Sequence, residues 1–183
     1  MTETEKQERR ALEEAIGHFI LDLGMIENTM IQALATLTGV AQPQAHFLLN
    51  KTAGGAKASL LKSAAEAKGI KLKGTALNKA FGTIHDIMSF RNRLTHDAIA
   101  FHSPSQKWML GQGAATGDLI MGASRLPLDP TYLSMQSKEA WAAIKTIGDA
   151  ILIPFGGYKY VATPATSTAL PPFEYVLTYD LKK

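Results

Sequence analysis

Ser89-Phe90-Arg91-Asn92-Arg93-Leu94-Thr95-His96-Asp97 is the stretch on which the reading of this chain turns. It closes a helical pattern that begins near Thr75, a residue suited to cap that helix. At about 100° per residue, His85, Ser89, Asn92 and His96 fall within roughly 60° of one another and form a polar stripe four turns long. Leu77, Phe81, Ile84 and Met88 flank the stripe on one side, and Ile87, Phe90 and Leu94 lie on the other. A helix apolar on two sides packs against two things, here its own bundle and a second subunit. Arg91 stands about 140° from His96, so spacing alone does not put them on one face. The reach of the arginine or a distorted helix end would have to join guanidinium to imidazole.

The sequence before this stretch reads as scaffold. Thr4 to Leu37 predicts one long helix, with Gly17 or Gly24 as places for a bend; Ile16, Phe19, Ile20, Leu23, Ile26, Met30, Leu34 and Leu37 keep helical spacing. Thr38-Gly39 ends it, and Pro43 opens a short helix through Leu49. A third helix runs from Ala56 to Lys68 and stops at Gly69, followed by a basic linker from Lys71 to Gly74. After Asp97 the pattern changes. Ala98 to Gln112 and Asp118 to Leu126 are short and mixed in polarity, and read as a β-hairpin or a paired loop around Gly113 to Gly117. Asp129 caps a last helix from Pro130 to about Ile153, which Pro154, Gly156 and Gly157 end. Thr163 to Pro172 looks like a linker, and the tail alternates through Phe173, Tyr175, Leu177, Tyr179 and Leu181, as a strand or arm would. The division expected is one domain over residues 1–162, with a hairpin or loop region at about 98–126, then a linker and C-terminal arm over residues 163–183.

Composition narrows the function classes. A chain of 183 residues with 46% hydrophobic and 19% charged residues has room for one real core and is not of disordered type. With no cysteine there is no disulfide and no thiolate metal site, which agrees with a cytoplasmic location. Met1 to Arg10 is charged and lacks the apolar region of a signal peptide, and no apolar run is long enough to span a bilayer. The net charge of +3, taken over this length, falls short of a nucleic-acid footprint. His18 and Asp22 stand one helical turn apart, but two ligands are too few for a metal site, so neither metal nor cofactor is expected. The glycines before Lys57 are no phosphate loop, because the Gly-Lys-Ser/Thr ending is missing.

Arg91, its polar neighbour Asn92 and His96 five places after the arginine, at the end of a long helix, resemble the signature of the HEPN superfamily. The order of long first helix, shorter helices, motif helix and closing helix is similar to that family over roughly Thr4 to Ile153. The fold class so implied is mainly α, a HEPN-like helical bundle with a long first helix and a hairpin or loop insertion after the motif helix. The resemblance implies a metal-independent endoribonuclease of the kind found in toxin–antitoxin and antiviral defence systems. Other members are silent binding or dimerisation modules. It also implies a homodimer whose two motifs share a cleft, RNA as substrate, and an antitoxin or sensor protein as a further partner.

The chemistry itself asks for these side chains. Metal-free RNA cleavage needs a base for the 2′-hydroxyl, an acid for the leaving 5′-oxygen and a cation for the phosphorane. Histidine suits either proton transfer near neutrality, and arginine grips a phosphate through paired hydrogen bonds. Asn92, one turn before His96, is placed to fix its ring or a phosphate oxygen. A single chain supplies one motif histidine, so concerted acid–base work calls for a two-fold axis near His96. Glu27, His85 and Ser89 are candidates for supporting roles. The plainer alternative is that Arg91 and His96 complement the dipole at a helix C-terminus, with Asp86 or Asp97 pairing Arg91 or Arg93.

Overall fold

The structure is a computed structural model that describes residues 3–97, 99–102, 107–111 and 126–156. Helix α1 (Glu3–Thr38) runs unbroken past Gly17 and Gly24, with Glu3 and Glu5 in its first turn, where the dipole favours acids. After a turn at Gly39 come α2 (Gln42–Leu49), with Pro43 in its first turn, and α3 (Gly54–Ala67), which starts two residues before the expected Ala56. Gly69, at φ +78°, ends α3. Its N–H donates to the Glu66 carbonyl and that of Ile70 to the Ala65 carbonyl, a paired closure that needs the left-handed backbone glycine allows. Leu72 is buried between exposed Lys71 and Lys73, so the linker is pinned to the core by alternate side chains.

Helix α4 (Ala76–His96) begins where the Thr75 hydroxyl accepts the Asn78 N–H at 3.2 Å. It lies between α3 and α5 (Pro130–Ile147), while α1 packs against α2, α3 and α5. Leu77, Phe81, Ile84 and Met88 are buried, and so are Ile87, Phe90 and Leu94. This corrects the expectation that one apolar side of the motif helix is left for a second subunit. A helix with neighbours on both flanks buries a wide arc, and both flanks lie in the chain's own core.

Past the motif helix, β1 (Ile99–His102) pairs antiparallel with β2 (Lys107–Leu110), and β2 with β3 (Leu126–Pro127), in the order β1-β2-β3. The pairing of Leu110 with Leu126 matches the expected approach of the two halves of this region. The pairing of Ile99 with Leu110 adds a second reversal that the sequence reading did not place. Buried Leu110 and Leu128 fasten this small sheet to the helical core. Gly113–Gly117 and residues 163–183 lie outside the described residues.

Asp129 caps α5 as expected, its carboxylate accepting the Tyr132 N–H at 2.8 Å. Pro154 does not stop the helix. A π-turn, Gly148–Leu152, is followed by a last turn, α6 (Ile153–Gly156). Proline has no N–H to give and its ring crowds the carbonyl four residues back. Widening the preceding turn, with the Ile153 N–H reaching back to the Gly148 carbonyl, lets the backbone pass it. Among the described residues, no helix is long and apolar enough to cross a membrane.

Candidate functional site

The polar stripe of α4 reaches solvent: His85, Ser89 and His96 are exposed and Asn92 is half-buried. Helical geometry persists to the last residue, with the Asp97 N–H on the Arg93 carbonyl at 2.7 Å. No distortion therefore turns His96 toward Arg91. His96 stands at the helix end, with no hydrogen bond or ion pair to its ring among the described residues. The sequence reading offered Asn92 as a brace for that ring. Instead the Asn92 side-chain oxygen accepts from Arg91 Nη1 at 3.3 Å. The Arg91 Nε is buried and meets no acceptor among the described residues.

Arg93 takes the other part of the plainer reading, pairing with Asp97 at 3.3 Å one turn on, at the C-terminus where a cation is favoured. Thr95 returns its hydroxyl to the Arg91 and Asn92 carbonyls. Ser89 does the same to His85, at 3.0 Å, and so is spent within the helix. The two motif side chains thus sit one on each side of the helix end. Arg91 is braced by Asn92 and His96 is open.

Glu27 does not join the motif. It forms an ion pair with Lys57, whose side chain is only 3% exposed, tying α1 to α3. Gly54 sits against the pair and against the motif helix. A Cβ there would lie 2.5 Å from Met88 Sδ and 3.0 Å from Glu27 Oε1. One at Gly55 would lie 3.6 Å from His85 Nδ1. Gly54 is what lets the start of α3 approach Met88 of α4 this closely, whereas the distance at Gly55 is an ordinary contact that a side-chain carbon could make. Lys57 was overlooked in the sequence, yet a signal was there. It falls on the buried stripe of α3 with Gly54, Ala58, Leu61 and Ala65, where a cation requires a counter-charge.

Tyr132 is a second residue the sequence did not single out. Its ring meets Phe90 edge-on at 5.4 Å, and Phe90 in turn meets Phe19 at 5.5 Å. Burial pushes its phenol pKa above the ordinary value, Glu139 adds to this, and Arg93 pulls it down. Of the other candidates, His18 leans on Glu14 at 3.6 Å, and no cluster of three metal-binding side chains occurs among the described residues. Lys107 is exposed, whereas Trp108 packs against the core. A groove of about 320 Å³ between α1, α2 and α3, lined by Leu34, Ala35, Leu48, Leu60 and Ala64, contains no motif residue. In the comparisons with family models, curated proteins and solved structures, nothing matches this chain.

Proposed function

We propose that the protein is a metal-independent endoribonuclease of HEPN type, acting as a homodimer, with Arg91 and His96 as its catalytic residues. The observation that carries this reading is the state of the two side chains at the end of α4. Among the described residues, the buried Arg91 Nε meets no acceptor, and the exposed ring of His96 has no hydrogen-bond or ion-pair partner. A guanidinium with spare donors suits a phosphate, and an open imidazole suits proton transfer. Within one chain the two diverge by about 140° around the helix. The proposed site therefore pairs Arg91 of one protomer with His96 of its partner across a two-fold axis, which also brings the second histidine that acid and base need. The axis would run along the polar stripe, since the apolar flanks are used inside the chain. A role in a toxin or antiviral defence system, with an antitoxin or sensor beside it, extends this proposal.

The same divergence favours a second reading, a silent HEPN-like binding module, in which Arg91 holds a ligand and His96 performs no chemistry. Purified protein incubated with a mixed RNA pool, with and without EDTA, separates the two. Cleavage that leaves 2′,3′-cyclic phosphate and 5′-hydroxyl ends, survives chelation and falls at least about 10²-fold in His96→Ala is the expected result. Arg91→Lys is expected to fail as well, because an ammonium cannot reproduce the paired grip. Light scattering should give a dimer. A monomer at micromolar concentration, or cleavage that persists in both folded variants, overturns the proposed site.

A further inference from the structure

The chain's positive charge is unevenly placed. Residues 51–96 hold nine Lys and Arg against two Asp and Glu, whereas residues 1–50 hold three against seven. Residues 97–183 are balanced at seven against seven. The modest net charge of +3 is thus a strongly basic segment, α3 to α4, offset by an acidic α1. Two of the nine are spent, Lys57 on Glu27 and Arg93 on Asp97. Lys68, Lys71, Lys73 and Lys79 are exposed and have no ion pair among the described residues.

We propose that these four lysines, at the turn joining α3 to α4, form a docking surface for the phosphate backbone of single-stranded RNA. Three features of the turn support a built surface over a loosely solvated run. Buried Leu72 and half-buried Ile70 hold the linker down and leave Lys71 and Lys73 outward. Gly69 and Gly74, both at positive φ, fix the bends on either side, and the Thr75 N–H and hydroxyl both bond the Leu72 carbonyl, at 3.0 and 2.6 Å. Lys79 lies at the start of α4, where the helix dipole disfavours a cation, and no acid occupies that first turn. A cation kept where local electrostatics oppose it fits an anion supplied from outside the chain.

The choice of RNA rests on the function proposed above. Lys68, Lys71 and Lys73 precede α4 and Lys79 lies in its first turns, whereas the Arg91–His96 motif closes that helix, 12 to 17 residues or about 18–26 Å beyond Lys79 at 1.5 Å per residue. A strand held at the lysines lies along the same rigid rod that carries the motif.

The test measures binding of a labelled oligouridylate to the full chain in a His96→Ala background, so that no substrate is consumed. Four phosphate contacts on a single strand contribute about 3 to the slope of log affinity against log salt. Replacing Lys68, Lys71, Lys73 and Lys79 with Gln is expected to remove that much. The ratio of parent to variant affinity should shrink about 50-fold between 50 and 200 mM salt. Replacing Lys6, Arg9, Arg10 and Lys138 with Gln removes the same charge elsewhere and should leave the slope unchanged. Should the four-lysine variant lose its circular dichroism, Lys71→Gln/Lys73→Gln reads half the effect. An unchanged slope, an equal loss in the control variant, or binding to phosphatidylserine vesicles but not to the oligonucleotide each overturns the proposal. If the wild type binds through these lysines yet cleaves nothing, the docking surface stands and the ribonuclease reading falls. If it cleaves with an unaltered slope, the reverse holds.

Discussion

Replacing Glu27 with alanine should destabilise the protein by about 3 kcal/mol. Its partner Lys57 is 3% exposed, so the variant leaves an ammonium in the core with no counter-charge. Removing one member of a buried pair costs about 3–5 kcal/mol. The Glu27 side chain is 19% exposed, so water reaches one edge of the pair, and the lower end applies. For a chain of this size, about 3 kcal/mol is a fall in Tm of about 6–12 °C. Lys57→Met leaves the carboxylate, which has that open edge, and should cost about 1–3 kcal/mol. Glu27→Leu with Lys57→Met removes both charges and keeps the volume. It should be more stable than Glu27→Ala by about 2 kcal/mol, since well-packed apolar residues can replace a buried pair at little cost. Urea unfolding followed by circular dichroism measures all three. If Glu27→Ala costs less than about 1 kcal/mol, or the double variant is no better than the single, a buried, uncompensated Lys57 charge is not the source of the loss.

Two further perturbations probe the same region. Gly54→Ala should cost about 1–3 kcal/mol in urea unfolding, because the new methyl would lie 2.5 Å from the Sδ of fully buried Met88; a gain in stability would show that the sulfur has room to move. Tyr132, with its phenol pKa raised in the fold, binds its proton more tightly folded than unfolded. Its contribution is complete below about pH 10 and is lost as pH rises through the folded-state value. Tyr132→Phe should therefore show a shallower loss of Tm above pH 10, and parallel curves would count against a role for this group.

Local chemistry was legible and tertiary chemistry was not. Thr75 and Asp129 could be read as caps because a cap involves a hydroxyl or carboxylate and an N–H three residues on. The long first helix and the burial of seven apolar residues on α4 followed from spacing. The partner of those residues did not, because periodicity reports how wide a buried arc is and not which element covers it. The Glu27–Lys57 pair joins residues 30 apart, and only packing α3 against α1 shows that two charges on apolar stripes face each other. At the motif, spacing sets Arg91 and His96 about 140° apart, and α4 stays helical through His96. Spacing could not decide whether Asn92 would serve the arginine beside it or the histidine one turn on. Pro154 was read as a stop because the local rule for proline ignores a π-turn upstream.

Helix α2 has a consequence for motion. It is eight residues long, has no side-chain cap at its start and buries a single residue, Ala45, against Ile31 and Ala35 in a cluster apart from the main core. Phe47, 78% exposed, and Leu48 contribute little to holding it down. Segments with so few buried contacts open at a free energy well below that of global unfolding. The amides of α2 should therefore exchange with solvent by local opening, and those of α4, packed between α3 and α5, only as the bundle comes apart, a difference that hydrogen-exchange mass spectrometry reads directly. Each such opening would bare the apolar face of α1 around Ile31 and Ala35. Opening at the α2 face would leave the helix that carries Arg91 and His96 undisturbed, because α4 packs on α3 and α5, whereas α2 packs on α1.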